Sequence, residues 1–215
     1  MNQVFPIDIH THQLPAVAGK AIVSVSPEMF TPQPSHWYAL GIHPWDTDKI
    51  TDFTAKMEKI QRLAHHPQVI AIGEVGLDRL HGTSIPEQMK IFEAQALLAE
   101  SLQKPVVIHL VKATDELLFL HHHLNPTVPW IIHGFRGKPQ LAQQLLKRGF
   151  YLSFGTHFNL DAMRSTPNDR LLLETDEREE DIEQLCQALA LARCQTNEEL
   201  RQSLDENVQR LFFKP

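Results

Sequence analysis

Eight short apolar runs constrain this chain more than any other feature. They are VFPIDI (4–9), AIVSVS (21–26), WYALGI (37–42), VIAIGE (69–74), PVVIHL (105–110), PWIIHG (129–134), GFYLSFG (149–155) and RLLLET (170–175). Each is rich in β-branched or aromatic residues and bounded by Pro, Gly or polar residues, the pattern of strands buried on both faces. Between several of them apolar residues recur three or four apart, which predicts helices over 51–65, 86–103, 138–148, 179–193 and 197–212. Pro86 with Glu87 suits a first helical turn, and Gly149 suits a helix stop. Strands alternating with helices predict an α/β fold, a parallel sheet closed as a (β/α)8 TIM barrel. The barrel is expected to be abbreviated or distorted, with helices missing after the first strands. Residues 13–20 are too few for a helix, and residues 25–36 carry Pro27, Pro32 and Pro34. At 215 residues the chain is short beside the ~250 typical of this fold, yet ample for a single domain over 1–215.

In such barrels the chemistry sits at the C-terminal strand ends. The first run ends in His10 and His12, which a strand would point to one side together with Asp8. The third run ends at His43, the fourth at Glu74, the fifth at His109, the sixth at His133 and the eighth at Asp176. Singly, each has an ordinary structural use: a hydrogen-bonded core histidine, a turn cap, a helix N-cap. Together at one end of the strands they have the composition of a divalent metal site. The chain holds 13 histidines, and the others read differently. His65, His66 and His121–His123 fall where helices end and read as solvated surface. His81 and His157 lie in loops on the side of the site.

Several function classes are disfavoured. No apolar run approaches the ~20 residues needed to cross a bilayer, and no basic-then-apolar leader opens the chain. Cys186 and Cys194 share one helical region, so a structural disulfide is not expected, in keeping with a reducing cytoplasm. A formal charge of −6 argues against a broad nucleic-acid-coating surface but accommodates a small, metal-dominated site for phosphate.

The ordered set DIHTH (8–12), GIHPW (41–45), AIGEVGLD (71–78), PVVIH (105–109), IIHGFRG (131–137), LLLETD (171–176) and ENVQRLF (206–212) resembles the TatD-like metal-dependent hydrolases of the amidohydrolase superfamily. The resemblance runs from the first strand to the last helix. It implies two divalent metal ions (Zn, Mg or Mn), with His10, His12 and Asp176 holding one, His109 and His133 the other, and Glu74 bridging. It further implies phosphodiester hydrolysis, in the manner of a deoxyribonuclease, by a hydroxide shared between two ions about 3.5–4 Å apart. Asp176 and Glu74 are then the catalytic carboxylates, Asp176 orienting the hydroxide and accepting its proton. The chain departs from the family pattern at Leu110 and Val111 after His109, at Gly134 and Arg136 after His133, and at Glu177 directly after Asp176. These positions shape the substrate cleft.

Phosphate calls for positive charge beyond the metals. Arg79, Arg136, Lys112 and Lys138 all follow strand ends, and His43, Arg79 and Arg136 are the candidate substrate contacts. Trp45 and Phe135 are each placed either to stack on a base or simply to pack. The expected substrate is a DNA end, a short single strand or a small phosphodiester, handled by a monomer with no membrane partner. Two other readings stand beside it. The same metals serve amide, lactone or deaminable-ring hydrolysis in other superfamily members, which a dry, apolar cleft would favour. A binding protein with a vestigial site is the third, and the complete ligand set argues against it.

Overall fold

The computed structural model describes residues 5–178 and 180–213. Its strands are β1 (Asp8–Thr11), β2 (Ala21–Val25), β3 (Trp37–Leu40), β4 (Val69–Asp78), β5 (Val106–Val111), β6 (Trp130–Ile132), β7 (Tyr151–Phe154) and β8 (Leu171–Leu173). They form a closed parallel barrel in sequence order. The helices are α1 (Phe53–Ala64), α2 (Ile85–Leu102), α3 (Thr114–Leu124), α4 (Pro139–Lys147), α5 (Leu160–Ser165), α6 (Ile182–Ala192) and α7 (Asn197–Phe212). Among the described residues no helix follows β1 or β2, as the short and proline-rich connections require. None of the described helices is long and apolar enough to cross a membrane.

Several elements differ from the sequence expectation. β4 does not stop at Glu74: it runs on to Asp78 with all ten residues buried, so Glu74 lies inside the strand and a second acid stands at its tip. α3 escaped the periodicity because its apolar residues are bunched as LLFL, with only Leu117 and Leu120 buried. Its acids, Asp115 and Glu116, are in the first turn and its three histidines in the last, an order that complements the helix dipole. α5, at six residues, is too short to show a period. α6 begins at Ile182, where the Asp181 side chain accepts from the Glu183 amide. Glu179, with which that helix was expected to begin, and Val4 of the first run lie outside the described residues.

By packing, the chain divides into two compact units, with boundaries that cut through β2, β3 and β6. One contains the described residues up to Val23, Pro34–Trp37 and those from Ile131 onward. Here β8 pairs with β7 (Phe154↔Leu173) and with β1 (Asp8↔Leu173). α7 starts on a capping box between Thr196 and Glu199 and buries Leu200, Leu204, Val208, Leu211 and Phe212. Each such side chain contributes about 1.5–3 kcal/mol. From the same helix, buried Asn207 donates to the carbonyls of Asn168 (2.6 Å) and Leu171 (2.9 Å), tying it to the start of β8.

The other unit is Ser24–Gln33 and Tyr38–Trp130. α2 covers β4, burying Phe92 edge-on to Trp130 (5.0 Å). Buried Gln95 of α2 accepts from the Ile42 amide (2.6 Å), which fixes the chain one residue before His43. β4 and β5 approach closely at Gly76↔His109. A Cβ on Gly76 would lie 2.0 Å from the His109 carbonyl oxygen, so only glycine allows this register beside a candidate ligand.

Candidate metal centre

In the first unit, the β1–β8 pairing continues past the strand ends. The Asp176 amide donates to the His10 carbonyl (2.9 Å), and the His12 amide donates to the Asp176 carbonyl (3.0 Å). This places a carboxylate from residue 176 against imidazoles from residues 10 and 12. The Asp176 Oδ1 lies 3.6 Å from His10 Nε2 and 3.7 Å from His12 Nε2. His133, one residue beyond β6, brings its ring to 4.1 Å from that of His10. Ligand atoms of His10, His133 and Asp176 all fall within 4.8 Å of one another. His10 is fully buried, whereas His12 and Asp176 are partly open to solvent.

Two further acids support this cluster. Glu174 Oε1 pairs with His133 Nδ1 (3.2 Å) and accepts from the Gly134 amide (2.6 Å), which orients the His133 ring. Asp8 is buried and accepts from Thr175 Oγ1 (2.7 Å), the Thr175 amide and the His10 amide. Burial pushes its pKa up to about 7, aided by the nearby Glu174, while those hydrogen bonds pull the other way.

In the second unit, Glu74 Oε1 lies 3.0 Å from His43 Nε2 and 2.9 Å from His109 Nδ1, and the two nitrogens are 3.4 Å apart. The Gly73–Glu74 peptide is cis. The opposite nitrogen of His109, Nε2, faces Asp78 Oδ2 at 3.1 Å. Asp78 is buried and also accepts from the Trp45 indole N–H (2.6 Å) and the Leu80 amide (2.7 Å). Burial alone would raise its pKa, but these bonds and His109 hold it below the usual carboxylate range.

The donor chemistry tests the fit of a cation. A proton on His109 Nε2 for Asp78 leaves Nδ1 as a lone pair aimed at an anionic carboxylate oxygen. Two electron-rich atoms at that distance require either an extra proton or a positive ion beside them. Imidazole and carboxylate donors in this number suit a divalent transition metal. The residues present therefore fit metal binding in both units.

Within the first unit the structure brings together His10, His12, His133 and Asp176; within the second it brings together Glu74, His109 and His43. His43, read from sequence as a substrate contact, stands within the ligand-capable group. Arg79 donates to the Lys112 carbonyl (2.7 Å) and pairs with Glu116, so its charge is partly spent. Arg136 is exposed. Phe135 is buried against Phe154, which makes it a packing residue, whereas Trp45 remains 46% exposed. His66 packs on Phe30 and His121 on Trp130, so neither is wholly solvated surface as expected. His157 is taken by Arg178 (2.5 Å). Sequence reasoning missed Asp78 and Glu174 as site residues. The signal for Asp78 was the unbroken strand character of VGLD after Glu74. Glu174 stood in plain view two residues before Asp176.

The family model described as TatD related DNase matches residues 26–213. A Bacillus subtilis protein named as an uncharacterized metal-dependent hydrolase, YabD, is 33% identical over 197 residues, covering 81% of this chain and 76% of that protein. The 3'-5' ssDNA/RNA exonuclease TatD of Salmonella typhimurium is 34% identical over 154 residues, 66% of this chain and 58% of the exonuclease. The match therefore spans less than two thirds of the exonuclease's length. Among solved structures, YJJV, a TatD homologue from Escherichia coli, superposes with a TM-score of 0.83 at 22% identity over 98% of both chains. At that identity the likeness speaks for the fold.

Proposed function

Because the chain belongs to the TatD-related DNase family, we propose that it is a metal-dependent hydrolase of phosphodiester bonds, acting at the ends of short single-stranded nucleic acids. The observation that carries this reading is the imidazole–carboxylate clusters His10–His133–Asp176 and His43–Glu74–His109, carried by the strands and the residues just past them. His10, His12, Glu74, His109, His133 and Asp176 would hold the divalent ions, and His43 adds a seventh donor. Bound divalent cations would supply Lewis acidity toward the phosphoryl oxygens and acidify water at neutral pH.

The protein's own groups do the rest. Asp176 is open enough to reach water and is anchored through its backbone to His10 and His12. It orients the attacking water and takes its proton. Arg136 offers an exposed guanidinium to a phosphate, while Arg79 contributes less because Glu116 already claims it. A net charge of −6 favours substrates held at a confined end over long duplexes. We read the chain as one catalytic domain, working as a monomer in the cytoplasm.

The experiment is cleavage of a short single-stranded DNA and a chromogenic phosphodiester by metal-stripped protein. Mg²⁺, Mn²⁺ and Zn²⁺ are added back separately, with Asp176→Asn as control. Metal-dependent cleavage lost in the variant is the expected result. Stoichiometric metal binding with neither ester cut would move the reading to amide and lactone substrates.

A further inference from the structure

Trp45 is a large aromatic left half exposed two residues after the candidate ligand His43, yet its polar groups are tied to the site beneath it. Its indole N–H donates to buried Asp78 Oδ2 at 2.6 Å, and its backbone amide donates to His43 Nδ1 at 3.1 Å. Its ring stands edge-on to His43 (5.1 Å), at 5.8 Å from His109, and lies tilted against His81 at 4.8 Å. A solvent-facing indole ordinarily has no need of a buried carboxylate. This one shares its carboxylate oxygen with His109.

The surrounding chain is built to keep that arrangement fixed. Buried Gln88 accepts from the Asp78 amide (2.7 Å) and lies in donor reach of the carbonyls of His81 and Thr83 (2.8 Å each). Thr47 bonds the Pro44 carbonyl (2.7 Å) and receives the Thr83 amide (3.0 Å). Gly82, at φ +77°, brings this loop so close that a Cβ there would sit 2.0 Å from the Pro44 oxygen. Trp45 and His81 are therefore pinned from beneath by α2 and from the side by each other, with aromatic surface left outward.

We propose that Trp45, with His81 at its edge, is a stacking shelf for the nucleobase next to the scissile phosphate, and that Asp78 is the positioning residue that ties this shelf to His109. A rigid, sequence-tolerant π-face is what single-strand binding uses, because every base has one. Sharing a single oxygen between indole and imidazole fixes the distance from base to ligand without any mobile loop. The inference rests on the nucleic-acid reading above.

The test is binding of a tetrathymidylate to the metal-free protein, followed by tryptophan fluorescence, and compared with the same strand carrying abasic sugars. The base-bearing strand quenches the wild type, and Trp45→Phe removes most of that quenching although Trp37 and Trp130 remain. Trp45→Ala weakens the base-bearing strand at least about fivefold and the abasic strand less than about twofold, the difference being one base stack. Asp78→Asn weakens the base-bearing strand more than the abasic one in the same assay. Equal losses on both strands, or no quenching of the wild type, overturn the shelf. Binding through Trp45 without cleavage of any phosphodiester overturns the nuclease reading instead and leaves the shelf standing. Cleavage indifferent to Trp45→Ala does the reverse.

Discussion

Replacing Asn207 should unsettle the site from the far side of β8. Its amide nitrogen serves two carbonyls, Asn168 at 2.6 Å and Leu171 at 2.9 Å, where the chain enters the strand that leads to Glu174 and Asp176. Asn207→Ala removes two donated hydrogen bonds at about 1–2 kcal/mol each, the Asn168 carbonyl keeping only the Leu171 amide, so a net loss of about 2–4 kcal/mol is expected. For a chain of this size, that lowers Tm by roughly 5–15 °C. Asn207→Asp decides the cause. Arg210 donates to the Asn207 side-chain oxygen at 2.6 Å, and an introduced carboxylate would keep that partner while facing the two carbonyls. If the carbonyls dominate, the carboxyl's folded pKa is raised above its unfolded value. The variant then holds its stability below the ordinary carboxylate range and loses it as pH rises through the folded pKa. If Arg210 dominates, the folded pKa is depressed and the variant gains stability as pH rises. Thermal melts of wild type, Asn207→Ala and Asn207→Asp from pH 4 to 8 separate the two. An Asp variant as stable as wild type at pH 8 would refute the assignment of the donors.

Other expectations follow from named contacts. Saturating Zn²⁺ or Mn²⁺ should stabilise the protein by about 2.7 kcal/mol for each occupied site at a hundredfold excess over its Kd, and chelation should reverse it. His10→Ala should remove the share of one site in a thermal melt, and an unchanged shift would place the metal elsewhere. Burial pushes the Cys186 thiol up to about 11, so at pH 8 only about one part in a thousand is thiolate, while Cys194 is exposed. Brief iodoacetamide treatment should give a single adduct by intact mass, at Cys194; rapid double labelling would contradict the buried placement. Arg136→Ala should lower the dependence of log Kd on log salt for a short single strand by about 0.7, the share of one phosphate contact. An unchanged slope would remove Arg136 from the binding surface.

The barrel was legible because eight separate apolar runs each carried their own boundaries, and a wrong edge in one does not disturb the count. The missing early helices were legible from Pro27, Pro32 and Pro34, which no helix interior accepts. The ligand candidates were legible because imidazoles and carboxylates have no packing reason to recur at buried strand ends. What escaped depended on distant partners. Asp78 was not singled out because the run was cut at Glu74. The pairing of β4 with β5, through Asp78↔Val111, shows the strand continuing. His43 read as a substrate contact because its neighbour Glu74 comes from another strand, 31 residues away. Phe135 and Trp45 were equivalent as letters, and burial alone separates them. α3 hides its period because Leu118 and Phe119, which point away from the core, are as apolar as Leu117 and Leu120.

The backbone bridge between residues 10–12 and residue 176 also sets a schedule. The His43–Glu74–His109 group is complete once residue 109 has been made, and its strands are near neighbours in the chain. His10 and His12, the first candidate ligands to leave the ribosome, wait for the last. The loop that must close to bring Asp176 to them spans 165 residues between Thr11 and Asp176. Contacts that distant form late, after local pairing has reduced the chain's freedom. A nascent chain that stalls before β8 therefore carries every other candidate ligand and lacks only Asp176, the carboxylate proposed to activate water. On the role proposed for Asp176, hydrolysis would wait until synthesis has passed the eighth strand.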